Sequence, residues 1–235
     1  MKKHLALLAI FLLLGTSALP QLVQQIESFE STTIFPAPGW RQQKYLTNVS
    51  GAFFLQPVAT ATNPAPGAAP SGGNNLMMFN SFTGINNDTS IIITKPFDFS
   101  NNAGVNPQFS FYMYRDNGFA LADDHIRVYI NTAPNMTGAT LLSNTLGSNK
   151  LSRYNGTAPA ATVNTWNQYT YNLTAATYTA KRYYFIIMGV CKDGNNIYLD
   201  RVTTNTYPSA TLASDVNINL FYQNTAIVGT VDVEW

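Results

Sequence analysis

The stretch that decides the fold is Arg182-Tyr-Tyr-Phe-Ile-Ile-Met-Gly-Val190, which is followed, after the turn Lys192-Asp-Gly194, by Ile197-Tyr-Leu-Asp-Arg-Val-Thr203. Aromatic and β-branched residues dominate both segments, and these residue types fit the pleated, half-buried surface of a sheet. The Asp-Gly pair between them is a tight-turn signal. The stretch therefore predicts two strands joined by a short turn.

Segments of the same kind recur along the chain, divided by turn signals. The predicted strands are Leu76–Phe82, Ser90–Thr94, Gln108–Tyr114, His125–Ile130, Gln168–Leu173, Arg182–Val190 and Ile197–Thr203. No stretch with helical periodicity follows the first 20 residues. Many strands with turn-rich connections and no helices predict an all-β fold, an antiparallel jelly-roll β-sandwich.

The chain divides into three parts. Residues 1–18 have a charged start, an apolar run from Leu5 to Leu14 and small residues after it, which is the pattern of a signal peptide. This run is too short for a transmembrane helix, which needs about 20 apolar residues. Residues 19–208 form the predicted sandwich, and residues 209–235 are two further strands that either add to it or open a second β domain. We expect a secreted protein, either free or attached to a cell surface through a region that this chain lacks.

Charge is scarce in this chain. Charged residues make up 11% of the sequence, less than half of the roughly 25% found in average soluble proteins. Without Lys2 and Lys3 of the leader, 11 Lys and Arg remain against 12 Asp and Glu. A nearly neutral chain without a basic run lacks the electrostatic footprint of a nucleic-acid-binding protein, so we expect no nucleic-acid partner.

Few residues are suited to catalysis. Nucleophilic catalysis of the triad type needs a histidine base, and His125 is the only histidine after the leader. The single cysteine, Cys191, excludes an intrachain disulfide, and one histidine with one cysteine is a poor basis for a zinc or copper site. The sequence contains no Gly-rich phosphate loop. We therefore expect a protein that is not an enzyme.

Three aromatic residues near predicted loops are candidates for ligand binding: Trp40, Tyr154 and Trp166. Sugar rings stack on exposed Trp and Tyr faces, so these residues would suit a carbohydrate-binding module. The alternative, which the sequence favours, is that Trp40 and Trp166 close the ends of the sandwich core, as buried tryptophans often do.

Five groups of motifs occur in an order that resembles a known family. They are Glu27-Ser-Phe-Glu-Ser31 with Phe35-Pro-Ala-Pro-Gly-Trp40, Met78-Phe-Asn-Ser-Phe82 with Ile91–Ser100, Phe109-Ser-Phe-Tyr-Met-Tyr114 with Asp123–Thr132, Trp166-Asn-Gln-Tyr-Thr-Tyr171, and Gly194–Val202. From about Ile26 to Thr203 the chain resembles the jelly-roll domains of secreted bacterial proteins related to the cleaved adhesin (gingipain adhesin) and MAM domains. The resemblance implies a concanavalin-like sandwich that serves adhesion or recognition. Animal MAM domains carry disulfides that this chain cannot make, which favours the bacterial branch.

The resemblance also implies a structural Ca²⁺ ion. Its ligands would be an opening glutamate, an acid that precedes a strand and a closing aspartate, here Glu30, Asp124 and Asp200, with Asp123 as the alternate. A jelly roll can place its first and last strands side by side, which would bring Glu30 near Asp200. The family often has a second acid after the closing aspartate, whereas Arg201 stands there in this chain. The alternative is that these acids are solvated or form salt bridges.

The sequence therefore predicts a calcium-stabilised β-sandwich that binds an extracellular protein or a glycan at a bacterial cell surface or in the medium. Two alternatives remain, a carbohydrate-binding module accessory to a secreted hydrolase and a glycosidase on a concanavalin-like sandwich. An exposed aromatic strip on a concave sheet would favour the first, and two carboxylates facing each other across a cleft would favour the second.

Overall fold

The structure, a computed structural model, describes residues 22–30, 35–45, 51–99, 106–154, 164–180 and 182–206. The predicted leader and the C-terminal strands predicted after residue 208 lie outside these residues. No helix in the described ranges has the length and hydropathy of a membrane span. The strands are β1 Val23–Glu27, β2 Arg41–Tyr45, β3 Phe53–Pro57, β4 Asn75–Phe79, β5 Thr89–Ile93, β6 Phe97–Asp98, β7 Gln108–Arg115, β8 His125–Asn131, β9 Thr140–Leu141, β10 Leu151–Ser152, β11 Thr165–Asn172, β12 Arg182–Val190 and β13 Ile197–Thr206, with one 3-10 helix at Val58–Thr60.

The strands form two antiparallel sheets. The first sheet has the order β11-β7-β13-β4-β3, with β1 also paired to β13. The second has the order β10-β8-β12-β5-β2, with β6 paired to β12 and β9 to β8. Every one of these pairings is antiparallel. The predicted all-β sandwich is therefore confirmed.

The seven predicted strands all occur, with ends that differ by at most three residues. Sequence analysis did not predict β1, β2 and β3, nor the two-residue strands. β2 and β3 are the last strands of their sheets, and edge strands have weak sequence signals because one side faces solvent. β2 is mostly polar, Arg41-Gln-Gln-Lys-Tyr45, and β3 ends in Pro57, a residue that sheets tolerate mainly at edges.

Aromatic rings fill the space between the two sheets. Phe109 of β7 and Phe185 of β12 stack with ring centroids 4.1 Å apart, and Phe111 and Tyr171 stack beside them at 6.2 Å. Phe109, Phe111 and Met113 alternate along β7 and all belong to the core. This alternation is the period of two that a pleated strand imposes on its buried side chains.

The connection from β3 to β4, residues 58–74, crosses the outer face of the first sheet, and we call it the excursion. Its Ala61 and Ala69 belong to a second apolar cluster with Tyr114 and Tyr198. The excursion therefore covers one part of this outer face and leaves the rest to solvent.

The central stacked pair gives a test of the core. Phe185→Ala removes the ring on Phe109, and we expect the free energy of unfolding to fall by about 3–5 kcal/mol because a large cavity remains. Urea denaturation followed by circular dichroism measures this change. Phe54→Ala, at a ring that is 36% exposed, is the matched control and should cost less than about 1 kcal/mol. Equal losses in the two variants would contradict this description of the core.

Candidate functional site

Three connections meet at one end of the sandwich, which we call the loop end. They are residues 80–88 between β4 and β5, 116–124 between β7 and β8, and 191–196 between β12 and β13. The backbone N–H of Cys191 donates to the carbonyl of Asp88 at 2.9 Å, which joins the first connection to the third. Each connection begins and ends at a core strand, so the sheets fix where the loops stand.

A fully buried arginine, Arg153, binds the loop end through hydrogen bonds. Nη1 of Arg153 donates to the Asp116 carboxylate at 2.5 Å, and Nε donates to the Asp124 carboxylate at 3.3 Å. Nη1 also donates to the carbonyl of Gly118 at 2.7 Å, and Nη2 to that of Phe119 at 3.3 Å. One guanidinium thus pairs with two buried carboxylates and also donates to the backbone of residues 118 and 119.

The carboxylate of Asp124 ties the three connections together. It accepts the hydroxyl of Ser81 from the first connection and the N–H of Lys192 from the third at 2.6 Å. A Cβ at Gly194 would stand 1.8 Å from Asp124 Oδ2 and 2.6 Å from Arg153 Nη2, so only glycine fits there. The buried network therefore depends on all three loops at once.

Apolar side chains are exposed above this network. Phe82 is 42% exposed, Phe119 54%, Ile85 46% and Leu121 fully exposed. The rings of Phe82 and Phe119 pack edge to face with centroids 5.9 Å apart. We call these four residues the apolar loop patch. An exposed apolar contact such as that of Phe82 with Phe119 marks a candidate interaction site, whereas singly scattered apolar residues do not.

An open depression of about 440 Å³ adjoins the patch. It is lined by residues 119–122 on one side and by Lys192 and Asp193 on the other. Phe119 has a φ of 49°, a left-handed conformation that costs free energy in residues other than glycine. Nη2 of Arg153 donates to the carbonyl of Phe119, and this hydrogen bond supports the backbone conformation of the loop.

The predicted acids Glu30 and Asp200 lie near each other, because β1 pairs with β13 as the sequence analysis expected for the first and last strands. Asp200 is fully buried, and its Oδ2 accepts the N–H of Ser71 at 2.8 Å. Within the described residues its Oδ1 has no hydrogen-bond partner. Burial raises the pKa of Asp200, and the neighbouring charge of Glu30 raises it further. The Glu30 carboxylate accepts the N–H groups of Asn74 at 2.7 Å and Asn75 at 2.9 Å.

The structure does not bring Asp123 and Asp124 to this pair. Asp124 belongs to the Arg153 network, and Asp123 accepts hydrogen bonds from Lys150 and, at 2.8 Å, from Ser152. Among the described residues no group of three or more His, Cys, Asp and Glu could hold a metal ion. The expected convergence of the acids is therefore limited to Glu30 and Asp200, because Asp123 pairs with Lys150 and Asp124 with Arg153, which is the salt-bridge alternative.

Comparisons with known proteins address the fold directly. No family model matches the chain, and no curated protein matches it. Among solved structures, the K1 cleaved adhesin domain of Lys-gingipain from Porphyromonas gingivalis superposes with a TM-score of 0.54 and 20% identity, covering 78% of this chain and 98% of that domain. This chain has the cleaved-adhesin fold. The K2 cleaved adhesin domain of Lys-gingipain agrees, with a TM-score of 0.52 and 18% identity over 77% of this chain and 99% of that domain.

Within the cleaved-adhesin fold the three predicted ligand-binding aromatics have different environments. Trp40 is buried in the core and packs edge to face against Phe29 at 6.1 Å, as the core alternative expects. Trp166 is half-buried and packs against Tyr114 at 5.5 Å on the outer face beside the excursion. The backbone carbonyl of Tyr154 accepts a hydrogen bond from Arg115 at 2.6 Å.

Neither His125 nor Cys191 is arranged for catalysis. Both are buried, and Nδ1 of His125 lies 2.7 Å from the carbonyl oxygen of Asp123. Burial lowers the pKa of His125 and raises the pKa of the Cys191 thiol. A reactive cysteine needs the opposite shift, because the thiolate is the nucleophile.

Sequence analysis singled out Asp124, for another role, but missed the other residues that build the loop end. Asn117-Gly118 is a turn signal in the sequence, and it places an exposed phenylalanine, Phe119, directly after a turn. Phe82 was included in a predicted strand that ends at Phe79. Nothing in the local sequence marked Arg153, since its carboxylate partners are 29 and 37 residues away.

The Arg153 network makes a prediction about stability. Arg153→Met leaves two buried carboxylates without their cation, and we expect the free energy of unfolding to fall by about 3–5 kcal/mol. Lys150→Met removes the cation of Asp123, where both side chains are more than one-third exposed, and should cost less than about 1 kcal/mol. Guanidinium denaturation of both variants measures the difference. A small loss in Arg153→Met would show that the network is not needed.

Proposed function

We propose that this chain is a non-catalytic extracellular recognition module whose loop end binds a protein partner through the apolar loop patch. The observation that carries the proposal is the exposure of Phe82 and Phe119, in mutual contact, on loops that a buried ion-pair network holds in place. Aromatic residues are enriched among the few side chains that dominate binding energies at protein interfaces.

The support beneath the patch favours binding. Arg153 and Asp124 fix the loops by hydrogen bonds from below, so little conformational entropy remains to be lost when a partner docks. The Phe82 and Phe119 rings expose apolar surface beside an open depression. A partner that places an apolar side chain in this depression would bury both rings from water, which is favourable.

The comparisons and the sequence agree with this function. Two solved domains with this fold, K1 and K2 of Lys-gingipain, are cleaved adhesin domains, and adhesion is recognition at a surface. The signal-peptide pattern of residues 1–18 supports an extracellular location. We propose no catalytic role, because a glycosidase needs two carboxylates open to substrate, whereas Asp116, Asp124 and Asp200 are all buried.

We propose further that Glu30 and Asp200 hold a Ca²⁺ ion that stabilises the module. The two carboxylates repel each other, and the buried Asp200 Oδ1 has no hydrogen-bond partner among the described residues. Calcium would balance the charge and supply the missing interaction, since it prefers carboxylate, hydroxyl and carbonyl oxygens. Asp123 and Asp124 do not fit this role, because Lys150 and Arg153 already pair with them.

Alanine substitutions in the patch test the recognition function. Phe82→Ala and Phe119→Ala should each weaken binding to a captured partner at least tenfold, without lowering the melting temperature, because each removes exposed apolar area. Surface plasmon resonance against an immobilised panel of purified extracellular proteins measures the affinity. Leu146→Ala, at a side chain that is 62% exposed outside the loop end, is the control and should bind as the wild type does. Binding that survives both Phe substitutions would contradict the proposal.

The calcium proposal has a separate test. Calcium at 100 times its dissociation constant should stabilise the chain by about 2.7 kcal/mol, seen as a rise in melting temperature that EDTA reverses. Asp200→Asn and Glu30→Gln should abolish the rise, because each removes a ligand charge. Asp123→Asn is the control and should keep it. The proposal fails when millimolar calcium leaves the melting temperature of the wild type unchanged.

A further inference from the structure

Four amide side chains form a continuous row across the outer face of the first sheet. Gln24 of β1, Asn205 of β13, Gln108 of β7 and Asn172 of β11 stand opposite one another in the strand register. The side-chain amide of Gln24 donates to Asn205 at 3.0 Å, that of Asn205 to Gln108 at 3.4 Å, and that of Gln108 to Asn172 at 2.9 Å. We call these four residues the amide row.

The side-chain amides of the row keep donors and acceptors that the row itself does not use. A primary amide offers two N–H donors and two acceptor lone pairs. Counting the bonds between described residues, each of the four amides keeps at least one N–H and one lone pair. All three bonds run in the same direction, from β1 towards β11, and hydrogen bonds in such a chain polarise one another. The row is therefore an ordered set of free donors and acceptors.

A second row of uncharged residues runs beside the first. In the strand register Ile26, Thr203, Ser110 and Thr170 follow each other across the same four strands, and of these Ser110 is buried. Neither row contains an Asp, Glu, Lys or Arg. Tyr112 of β7 extends the surface, and its hydroxyl donates to Gln168 at 3.4 Å. We call the two rows, with Tyr112 and Gln168, the polar platform.

The polar platform ends where β13 has a β-bulge and where the excursion covers the sheet. The register between β13 and β7 shifts between Asp200 and Thr203, and Arg201 has a φ of 48° at this shift. The extra residue turns Thr203 and Asn205 outward while Val202 remains in the core. On the other side, Ser71 of the excursion binds Asp200 and closes the platform.

We propose that the polar platform binds a neutral polysaccharide chain. Sugar hydroxyls donate and accept at once, which matches side-chain amides that offer both groups in a fixed row. The two rows carry no charge, so nothing in them favours an ionic ligand. Tyr112 and Ile26, which is 48% exposed, provide apolar surface for the C–H faces of sugar rings.

The size of the platform fits a chain of several sugars rather than one. Four neighbouring strands at the usual sheet spacing extend across about 14 Å. The amides are already held by one another, so a ligand does not have to order them on binding. This site is separate from the loop end, and its existence does not depend on the protein-binding function proposed above.

Affinity electrophoresis in gels that contain a soluble polysaccharide tests the proposal. The probes are the neutral polymers hydroxyethyl cellulose, xylan, galactomannan and a β-1,3-glucan, with alginate and heparin as anionic polymers. We expect at least one neutral polymer to retard the wild-type chain and the anionic polymers to leave its migration unchanged. Gln108→Ala removes the centre of the amide row and should weaken that binding at least tenfold. Asn172→Ala, at the end of the row, gives a second variant should Gln108→Ala fold poorly.

Two controls separate the platform from other surfaces. Gln43→Ala removes an exposed glutamine from β2 in the opposite sheet and should bind as the wild type does. Phe119→Ala should also leave polysaccharide binding unchanged, even where it abolishes protein binding at the loop end. The proposal is overturned when no neutral polymer binds, when only anionic polymers bind, or when the amide-row variants bind no more weakly than Gln43→Ala.

Discussion

The hydrogen-bond ladders of β13 are the constraint on which the other features depend. This strand pairs with β7 along one side, and along the other with β4 over its first residues and with β1 over its last. The pairing with β1 brings Glu30 to Asp200, and the pairing with β7 aligns Asn205 with Gln108. The connection that leads into β13 also supplies the third loop of the loop end. One strand thus sets the position of the loop end, the pair Glu30 and Asp200, and the polar platform.

The scarcity of charge takes on a specific meaning in this fold. Two of the few acids, Asp116 and Asp124, are buried against one buried arginine rather than spread over the surface. Removing water from three charges is costly, and such groups are retained in proteins only where hydrogen bonds satisfy them fully. The hydrogen bonds of Arg153 and Asp124 also fix the backbones of the loops, so the buried charges give these loops a defined geometry. The outer face of the first sheet uses uncharged amides for its polarity instead.

Much of the fold could be predicted from the sequence, because the core strands carry aromatic and β-branched residues at alternate positions. Phe109, Phe111 and Met113 show this pattern in β7. The edge strands could not be predicted, since β2 is polar on both faces. The adjacency of Glu30 and Asp200 followed from the general arrangement of a jelly roll. The ion pairs of Asp124 could not be predicted, because a contact with Arg153 depends on tertiary structure and leaves no local pattern.

The bulge at Arg201 has a consequence for how this sequence can change over time. Before the bulge, Asp200 lies on the outer face of the sheet, beneath the excursion. After the bulge, Thr203 and Asn205 lie on the same face, because one extra residue separates the two halves of the strand. A regular strand that kept all of these residues would reverse the orientation of every side chain from Val202 to Thr206, exposing the apolar ones and burying the polar ones. The outward residues of this strand can therefore change in identity without disturbing the core, provided that the bulge is kept.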